Sequence, residues 1–350
     1  MRDTPFLNLV LTVALILMTG WLLFIGQAIV LPIVTAVIAV YVLTTASEFM
    51  GRQPVLGHFP PFVRHLLALL AFTAALIGFA LVVQVTVNQL LFALPRYQVN
   101  LQILIDRLAH RGWIENSQTL DEIIDVTLKQ INLQSLFIRL LGGLTSLSMT
   151  IFLVALYSAF LLGERASFGH KLAAALPAAN QAEHTRQIVD QINVQIGNYL
   201  TAKTLINVIL GTTSYAILWW MDVDFALFWA LLIGLFNYIP YVGGPMGVAP
   251  PVILSLAQWG DPWKTLVLCG LLAFFQTVIG TVLDPKIVGK RVNLSPFVVL
   301  AALAIWSALW GLPGAILAVP MTSIIAIVCA AFEPTRFVSV LLAEKVDRED

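Results

Sequence analysis

The sequence predicts an all-α, polytopic integral membrane protein, and three observations carry that prediction. Hydrophobic residues make up 59% of the 350-residue chain and charged residues 11%, against about 45–50% and roughly 25% in soluble domains. The apolar residues gather in runs of bilayer-crossing length, about 20 residues each. The 19 basic and 19 acidic side chains cluster in a few polar stretches between those runs. With a mean hydropathy of +0.90, a soluble globule of this size would expose large bare apolar patches. The composition therefore excludes an ordinary soluble enzyme and a disordered chain. It also speaks against a nucleic-acid binder, which needs a concentrated basic surface. Cys269 and Cys329 are the only cysteines, and both sit in apolar runs, so no disulfide framework or thiolate metal site is predicted.

The first run, Leu7 to Ile25, is followed almost at once by a second, Ile29 to Ser47. Together they would reach about 60 Å as one helix, twice the hydrocarbon core of about 30 Å. Two spans joined by a tight turn at Gly26–Ala28 are expected. Trp21, Leu22, Leu23 and Phe24 offer no small-residue cleavage site, so the first run reads as a retained helix and not a signal peptide. His58-Phe59-Pro60-Pro61 breaks the chain, and Leu66–Val87 is the third span, closing an N-terminal transmembrane region over residues 1–87. Residues 88–142 mix basic and acidic residues with apolar positions at helical spacing, such as Ile123, Ile124, Leu128 and Ile131. They predict amphipathic helices outside the hydrocarbon, lying on the bilayer or packed on the rest of the protein.

Residues 143–163 hold the fourth span and 164–203 a polar helical segment with a break at Pro177. Leu205–Trp220 is a short fifth span ending in an interface-like Trp219-Trp220 pair. Phe225–Gly260 and Asn293–Phe332 carry no charged residue at all. As single helices they would reach about 54 and 60 Å, too long for one crossing without extreme tilt. Each has helix breakers near its middle, so each predicts a hairpin, either a full crossing pair or a re-entrant one. Thr265–Leu283 lies between them as an ordinary span. The C-terminal transmembrane region thus covers 204–332, with a tail over 333–350, and the count is about eight membrane segments, two of them broken or re-entrant hairpins.

Parity then places the basic loops Arg52/Arg64, Arg165–Lys203 and Lys286–Arg291 and the tail on one side of the membrane. By the positive-inside rule that side is the cytoplasm. Both termini are expected there, 164–203 is cytoplasmic, and 88–142 is extracytoplasmic, although its five basic residues sit awkwardly with the rule.

No catalytic site is predicted. The sequence has no phosphate-binding glycine loop, no paired metal-binding histidines and no serine elbow, and His58, His65, His110, His170 and His184 are scattered over different loops. No cofactor, no metal and no nucleic-acid partner is expected. Candidate residues for a solute path come from the breakers and from polar residues inside apolar runs. In the first hairpin these are Asn237, Pro240, Gly243 and Gly244, with Pro245 beside them. A proline frees a carbonyl and a glycine admits close backbone approach, as in the broken helices of secondary transporters; a plain tight turn is the competing reading. Gln276 and Asp284 form a polar trail at the end of the Thr265–Leu283 span. Asp284 either takes a proton or cation or caps its own turn beside Pro285. Gly311, Pro313 and Gly314 mark the second hairpin, where packing through small residues is the alternative. Gln195, Asn198 and Asn207 lie on the helix entering the fifth span, where buried amides need partners. Lys286, Lys290 and Arg291 read as topology determinants.

Three motifs in the C-terminal third, in this order, are Asn237-Tyr238-Ile239-Pro240-Tyr241-Val242-Gly243-Gly244-Pro245, Asp284-Pro285-Lys286-Ile287-Val288-Gly289 followed by Leu294-Ser295-Pro296, and Gly311-Leu312-Pro313-Gly314-Ala315-Ile316-Leu317-Ala318-Val319-Pro320. Their order and spacing resemble the autoinducer-2 exporter (AI-2E) family, the PerM-like permeases. The resemblance extends over Asn193–Asn207 and is vague over residues 1–90. It implies a multipass protein of the bacterial inner membrane with about eight segments, a small solute or ion as cargo, the lipid bilayer as surroundings, and a homo-oligomer, with pentamers known in the family. The function expected is secondary (proton- or cation-coupled) or facilitative export. A passive channel-like conduit, or a structural or regulatory membrane oligomer without transport, stands as the alternative.

Overall fold

The structure, a computed structural model, describes residues 5–54, 56–110, 149–164, 167, 171, 179–287 and 292–345. Every regular element among them is helical, with no strand, as a chain read as membrane-spanning requires when lipid offers its backbone no hydrogen-bonding partner. The helices are α1 (Pro5–Ile25), α2 (Gln27–Gly51), α3 (Pro61–His110), α4 (Met149–Glu164), α5 (Ala179–Trp220), α6 (Ala226–Phe236), α7 (Gly243–Trp259), α8 (Pro262–Val278), α9 (Asp284–Ile287), α10 (Pro296–Ala331) and α11 (Arg336–Leu342). A π-helical turn, Ile279–Leu283, joins α8 to α9. Expectations placed on residues 1–4, 55, 111–148, 165–166, 168–170, 172–178, 288–291 and 346–350 lie outside the described residues.

Four helical stretches among the described residues are long and apolar enough to cross a membrane: Gln27–Gly51, Pro61–Leu104, Pro262–Ile287 and Pro296–Ala331. The all-α polytopic class therefore holds, and the count of about eight is corrected to four by this measure. Among the described residues, Val10–Ile25, Met149–Glu164 and Ala226–Phe236 are shorter apolar helices of 10–17 residues. The apolar part of α5, Leu205–Trp220, reaches about 24 Å.

Three expected boundaries also move. Between α1 and α2 only Gly26 departs from the helix, with Gly26 N donating to Leu22 O at 2.8 Å and Val30 N to Gly26 O at 2.9 Å. The helical ladder resumes at once, so this join is a kink, shorter than the turn expected. The third span does not stop at Val87 but continues as one helix to His110, through Pro95. Likewise the polar segment before residue 204 and the span after it are one 42-residue helix, α5.

The chain divides into two compact units. The first comprises Met1–Leu70, Phe152–Thr201 and Lys290–Asp350; the second comprises Ala71–Ile151 and Ala202–Gly289. In the first unit α10 packs against α1, α2 and α11. Ser295 caps α10, its hydroxyl accepting from Val298 N at 3.3 Å, with Pro296 at the first helical position, where a missing N–H removes no helical bond. Helix α10 is broken at Gly311, whose φ of 64° and ψ of −141° suit glycine alone. Trp306 Nε1 donates to Thr322 Oγ1 at 3.1 Å. In a straight helix those residues would stand about 24 Å apart, so the chain folds back at Gly311. Trp310 Nε1 donates to Leu23 O at 3.1 Å, satisfying a carbonyl exposed by the kink at Gly26.

Besides α3 from Ala71 onward and the short α9, the second unit holds four helices: the C-terminal part of α5, then α6, α7 and α8. Its core is Ile206, Leu210, Leu218, Ile233, Leu268 and Leu272 with neighbours of the same kind. Small residues set the spacing. A Cβ on Gly234 would lie 3.0 Å from Asn207 O, and one on Gly247 would lie 3.0 Å from Ile233 Cα, so α5, α6 and α7 approach backbone to backbone. Asp261 caps α8, its carboxylate accepting from Trp263 N at 2.9 Å and Lys264 N at 3.3 Å. Gly260, with φ of 58°, ends α7 in the left-handed cap that favours glycine.

Candidate functional site

The breaker motif between α6 and α7 is a six-residue connection, 237–242. Pro240 has no N–H to continue α6, and Tyr241 takes a left-handed φ of 62°. The chain then enters α7 through Gly243. A Cβ there would lie 1.8 Å from Phe236 O, so only glycine lets α7 start this close to the end of α6. Gly244 differs, because a Cβ there would lie 2.9 Å from Gln276 Nε2 on α8. Its bare backbone makes room for a side-chain amide.

That amide belongs to a relay. Gln276 Nε2 donates to Asn237 Oδ1 at 3.1 Å, and Asn237 Nδ2 donates to Asn207 Oδ1 at 2.7 Å. Asn207 and Asn237 are buried. Three amides from α5, the α6 end and α8 therefore form a directional chain inside an apolar bundle, where an unpaired amide is expensive. Both ends are open among the described residues: Gln276 Oε1 is buried and accepts no hydrogen bond, and Asn207 Nδ2 is buried and donates none. Beside the relay, Thr204 Oγ1 and the Tyr238 hydroxyl lie 2.7 Å apart.

One turn before Asn207 on α5 stands Lys203. Its side chain is only 8% exposed and its Nζ donates to Asp284 Oδ2 at 2.8 Å, while the Asp284 side chain is 27% exposed. Asp284 thus pairs across helices. The π turn explains how α8 delivers it. Pro285 offers no N–H to the carbonyls four and five residues earlier and its ring crowds the preceding turn. The chain widens there, with Asp284 N donating to Ile279 O. Such π bulges recur at functional positions in helices. Lys203, Thr204, Asn207, Asn237, Tyr238, Gln276 and Asp284 form one polar seam toward one end of the four helices.

The other end carries a second polar cluster. Arg96 and Tyr97 on α3 donate to Asp224 Oδ2, Tyr97 at 2.7 Å. Asn100 Nδ2 donates to Gln258 O at 2.6 Å. Gln258 then clamps the α5–α6 turn from both sides, its Nε2 donating to Asp222 O at 2.7 Å and its Oε1 accepting from Asp224 N at 2.9 Å. Asp222 and Phe225 in that turn have φ of 58° and 61°, strained for residues with side chains, and the clamp holds them there.

Of the sequence candidates, Asn237, Pro240, Gly243, Gly244, Gln276 and Asp284 fall in the second unit, with Gln276 against both Asn237 and Gly244. Gly311, Pro313 and Gly314 belong to the first unit. There a Cβ on Gly314 would lie 1.9 Å from Trp306 O, so the fold-back itself demands that glycine. Lys203 was read as a loop cation and is instead a buried partner of Asp284. The available signal was its spacing: Lys203 and Asn207 are four residues apart and share a helix face. Among the described residues no group of three His, Cys, Asp or Glu is placed to hold a metal ion.

The chain matches the AI-2E family transporter profile over residues 10–333. The AI-2 transport protein TqsA of Escherichia coli K12 is 31% identical over 266 residues, which cover 73% of this chain and 74% of TqsA. Two relatives with provisional transport names are a Borreliella burgdorferi protein, 38% identical over 190 residues, and YhhT of Escherichia coli K12, 32% identical over 187 residues. Each alignment covers 53% of this chain, and the chain spans about half the length of those two relatives, 51% and 52%. Bacterial relatives and helical spans agree with a multipass protein of the bacterial inner membrane, barrels being the outer-membrane form. The family is one of transporters and not of enzymes, and the chain belongs to it: this is an AI-2E family transporter.

Proposed function

We propose that the chain moves a small solute or ion across the inner membrane by secondary or facilitative export, along the polar seam of the second unit. The observation that carries this reading is the seam itself. Seven polar side chains, one of them a buried lysine, stand in a bundle otherwise closed by leucine and isoleucine. Ionisable and amide groups at such depth are costly and typically mark substrate or ion routes. The connection at 237–242 supplies the broken helix on which secondary transporters build their sites. Asn237, Gly244, Gln276 and Asp284 line the route, with Pro240 and Gly243 shaping it. Gly311, Pro313 and Gly314 give the first unit its own hairpin, which we assign to the same transport cycle.

In this reading the shorter apolar helices α1, α4 and α6 lie in the bilayer beside the four long spans, with both hairpins inside it. Both termini face the cytoplasm, 88–142 lies outside, and the protein works as a homo-oligomer, a pentamer by likeness to the family. TqsA is named for AI-2 transport, and a polar solute of that size is the cargo proposed here.

Purified protein in liposomes tests the reading. AI-2 and candidate ions are offered with and without a proton gradient. Flux that follows the gradient supports coupled transport, and gradient-independent flux supports a passive conduit. No flux of any offered solute, from protein that is folded and inserted, refutes transport and favours a structural oligomer.

A further inference from the structure

We propose that Arg64, with Arg52 in the same turn between α2 and α3, binds the phosphate of an anionic phospholipid. The inference stands apart from solute export and concerns the first unit alone.

The turn is built around a guanidinium. Helix α2 ends at Gly51, a 3-10 turn covers Leu56–His58, and α3 begins at Pro61. Gly57 N donates to Gln53 O at 2.8 Å, and a Cβ on Gly57 would lie 2.7 Å from Gly51 O. The returning chain therefore touches the end of α2. A Cβ on Gly51 would fall on the Arg64 guanidinium, 3.0 Å from its Cζ. Arg64, in the first turn of α3, thus lays its head on bare glycine backbone.

The first argument is the missing counter-charge. Arg64 Nε is buried and makes no hydrogen bond. Among the ion pairs of the described residues, none includes Arg52, Arg64 or Glu48, and Glu48 is the one acidic residue between positions 48 and 65. A guanidinium stays charged and presents a rigid fork of donors, and a charge taken partly out of water calls for a partner. Phosphate is an anion that this fork meets bidentately. The second argument is place. Arg64 stands at the start of the long apolar span Pro61–Leu104, at the level where a bilayer keeps its headgroups. Phe49, Phe59 and Phe62 flank it and are exposed, Phe62 by 75%. Exposed aromatic surface beside an unpaired arginine suits a ligand that carries acyl chains along with its anion. The third argument is sign. Arg52 and Arg64 outnumber Glu48, and the N-terminus of α3 adds the positive end of a helix dipole. Basic residues at a membrane boundary draw anionic lipids. A zwitterionic lipid offers the same phosphate but brings its own cation, so the anionic headgroup is preferred.

The test reads lipid binding on the full chain. Protein in maltoside detergent is melted with phosphatidylglycerol or with phosphatidylcholine at equal mole fraction. Wild type is expected to melt roughly 3–5 °C higher with phosphatidylglycerol at a lipid concentration about 100 times Kd. Arg64→Gln is expected to lose most of that difference and Arg64→Lys to keep part of it. Arg186→Gln, a charge removed from an exposed site in the same unit, is expected to keep all of it. Equal melting of wild type in the two lipids overturns the proposal. So does a full difference in Arg64→Gln, or an equal loss in Arg186→Gln, which would make the effect one of general surface charge. The same rise with inorganic phosphate alone makes this a free-anion site and overturns the lipid. Should Arg64→Gln not fold, native mass spectrometry of wild type decides. Phosphatidylglycerol is expected to be retained about tenfold over phosphatidylcholine, and equal retention overturns the proposal. Neither readout uses flux, so a negative here leaves solute export standing.

Discussion

Replacing Asn237 with leucine removes the middle of the amide relay and tests whether the seam is a built polar network. The change strands two partners: Gln276 Nε2 loses its acceptor at 3.1 Å and Asn207 Oδ1 loses its donor at 2.7 Å. If only the hydrogen bonds mattered, the loss would be about 1 kcal/mol in all, because interhelical bonds in membranes average about 0.6 kcal/mol each. Stranding is dearer, at about 1–3 kcal/mol for each buried group left unpaired. The added apolar surface of leucine offsets about 1 kcal/mol of this. The net expectation is a destabilisation of about 2–3 kcal/mol, read by reversible unfolding in mixed micelles. Asn207→Leu/Asn237→Leu is expected to cost less than the sum of its single changes by about 1 kcal/mol, since the two residues share a bond. A single Asn237→Leu within about 0.5 kcal/mol of wild type, where bond loss alone would already exceed it, refutes the network. So does strict additivity of the pair.

The two glycines of α7 should separate sharply. Gly243→Ala drives a Cβ onto Phe236 O at 1.8 Å, a backbone atom that cannot step aside, and is expected to cost about 3 kcal/mol or more and to lower the amount of folded protein in the membrane. Gly244→Ala meets only the movable Gln276 amide at 2.9 Å, so it is expected to fold, at a cost near 1 kcal/mol, while slowing solute flux in liposomes. Gly311→Ala forces a side chain onto φ 64°, ψ −141° and is expected to lose about 2 kcal/mol, visible as a lower melting temperature. At the far end of the second unit, Arg96→Met breaks an ion pair whose arginine is 57% exposed, and the expected loss is under about 1 kcal/mol. Gln258→Leu removes both bonds that hold the 222–224 turn, and the expected loss is about 2 kcal/mol. Equal melting temperatures for those two variants would contradict the assignment of Gln258 as the clamp.

What the sequence made legible follows from the range of each interaction. Apolar runs bounded by Gly and Pro located the helices, because helix formation and its interruption are decided within a few residues. Gly243 and Gly311 were readable as breakers for that reason. Continuity was harder. The polar residues after Val87 looked like the end of a span, yet α3 continues through Pro95 to His110, since helical bonding persists regardless of whether lipid or water lies outside. Hardest was the pairing of Lys203 with Asp284, separated by 81 residues. Basic residues flanking an apolar run satisfy a loop-charge rule whether they face solvent or a carboxylate. Only the packing of α5 on α8 distinguishes the two.

The motif residues therefore act at two distances. Gly243 acts on Phe236 and Gly314 on Trp306, contacts within a hairpin that any close helix pair would need. Gly244 and Pro285 act through another side chain. Gly244 clears space for the Gln276 amide, and Pro285 widens α8 into the π turn that ends at Asp284. Packing alone requires neither of these. A plain two-helix turn would tolerate a residue at 244 that filled the space now taken by an amide, and an ordinary helix would carry Asp284 about 100° further round the axis for each residue of register. The sequence spends two conformationally costly residues to keep an amide and a carboxylate inside an apolar bundle. That choice goes beyond what the stability of the turn requires.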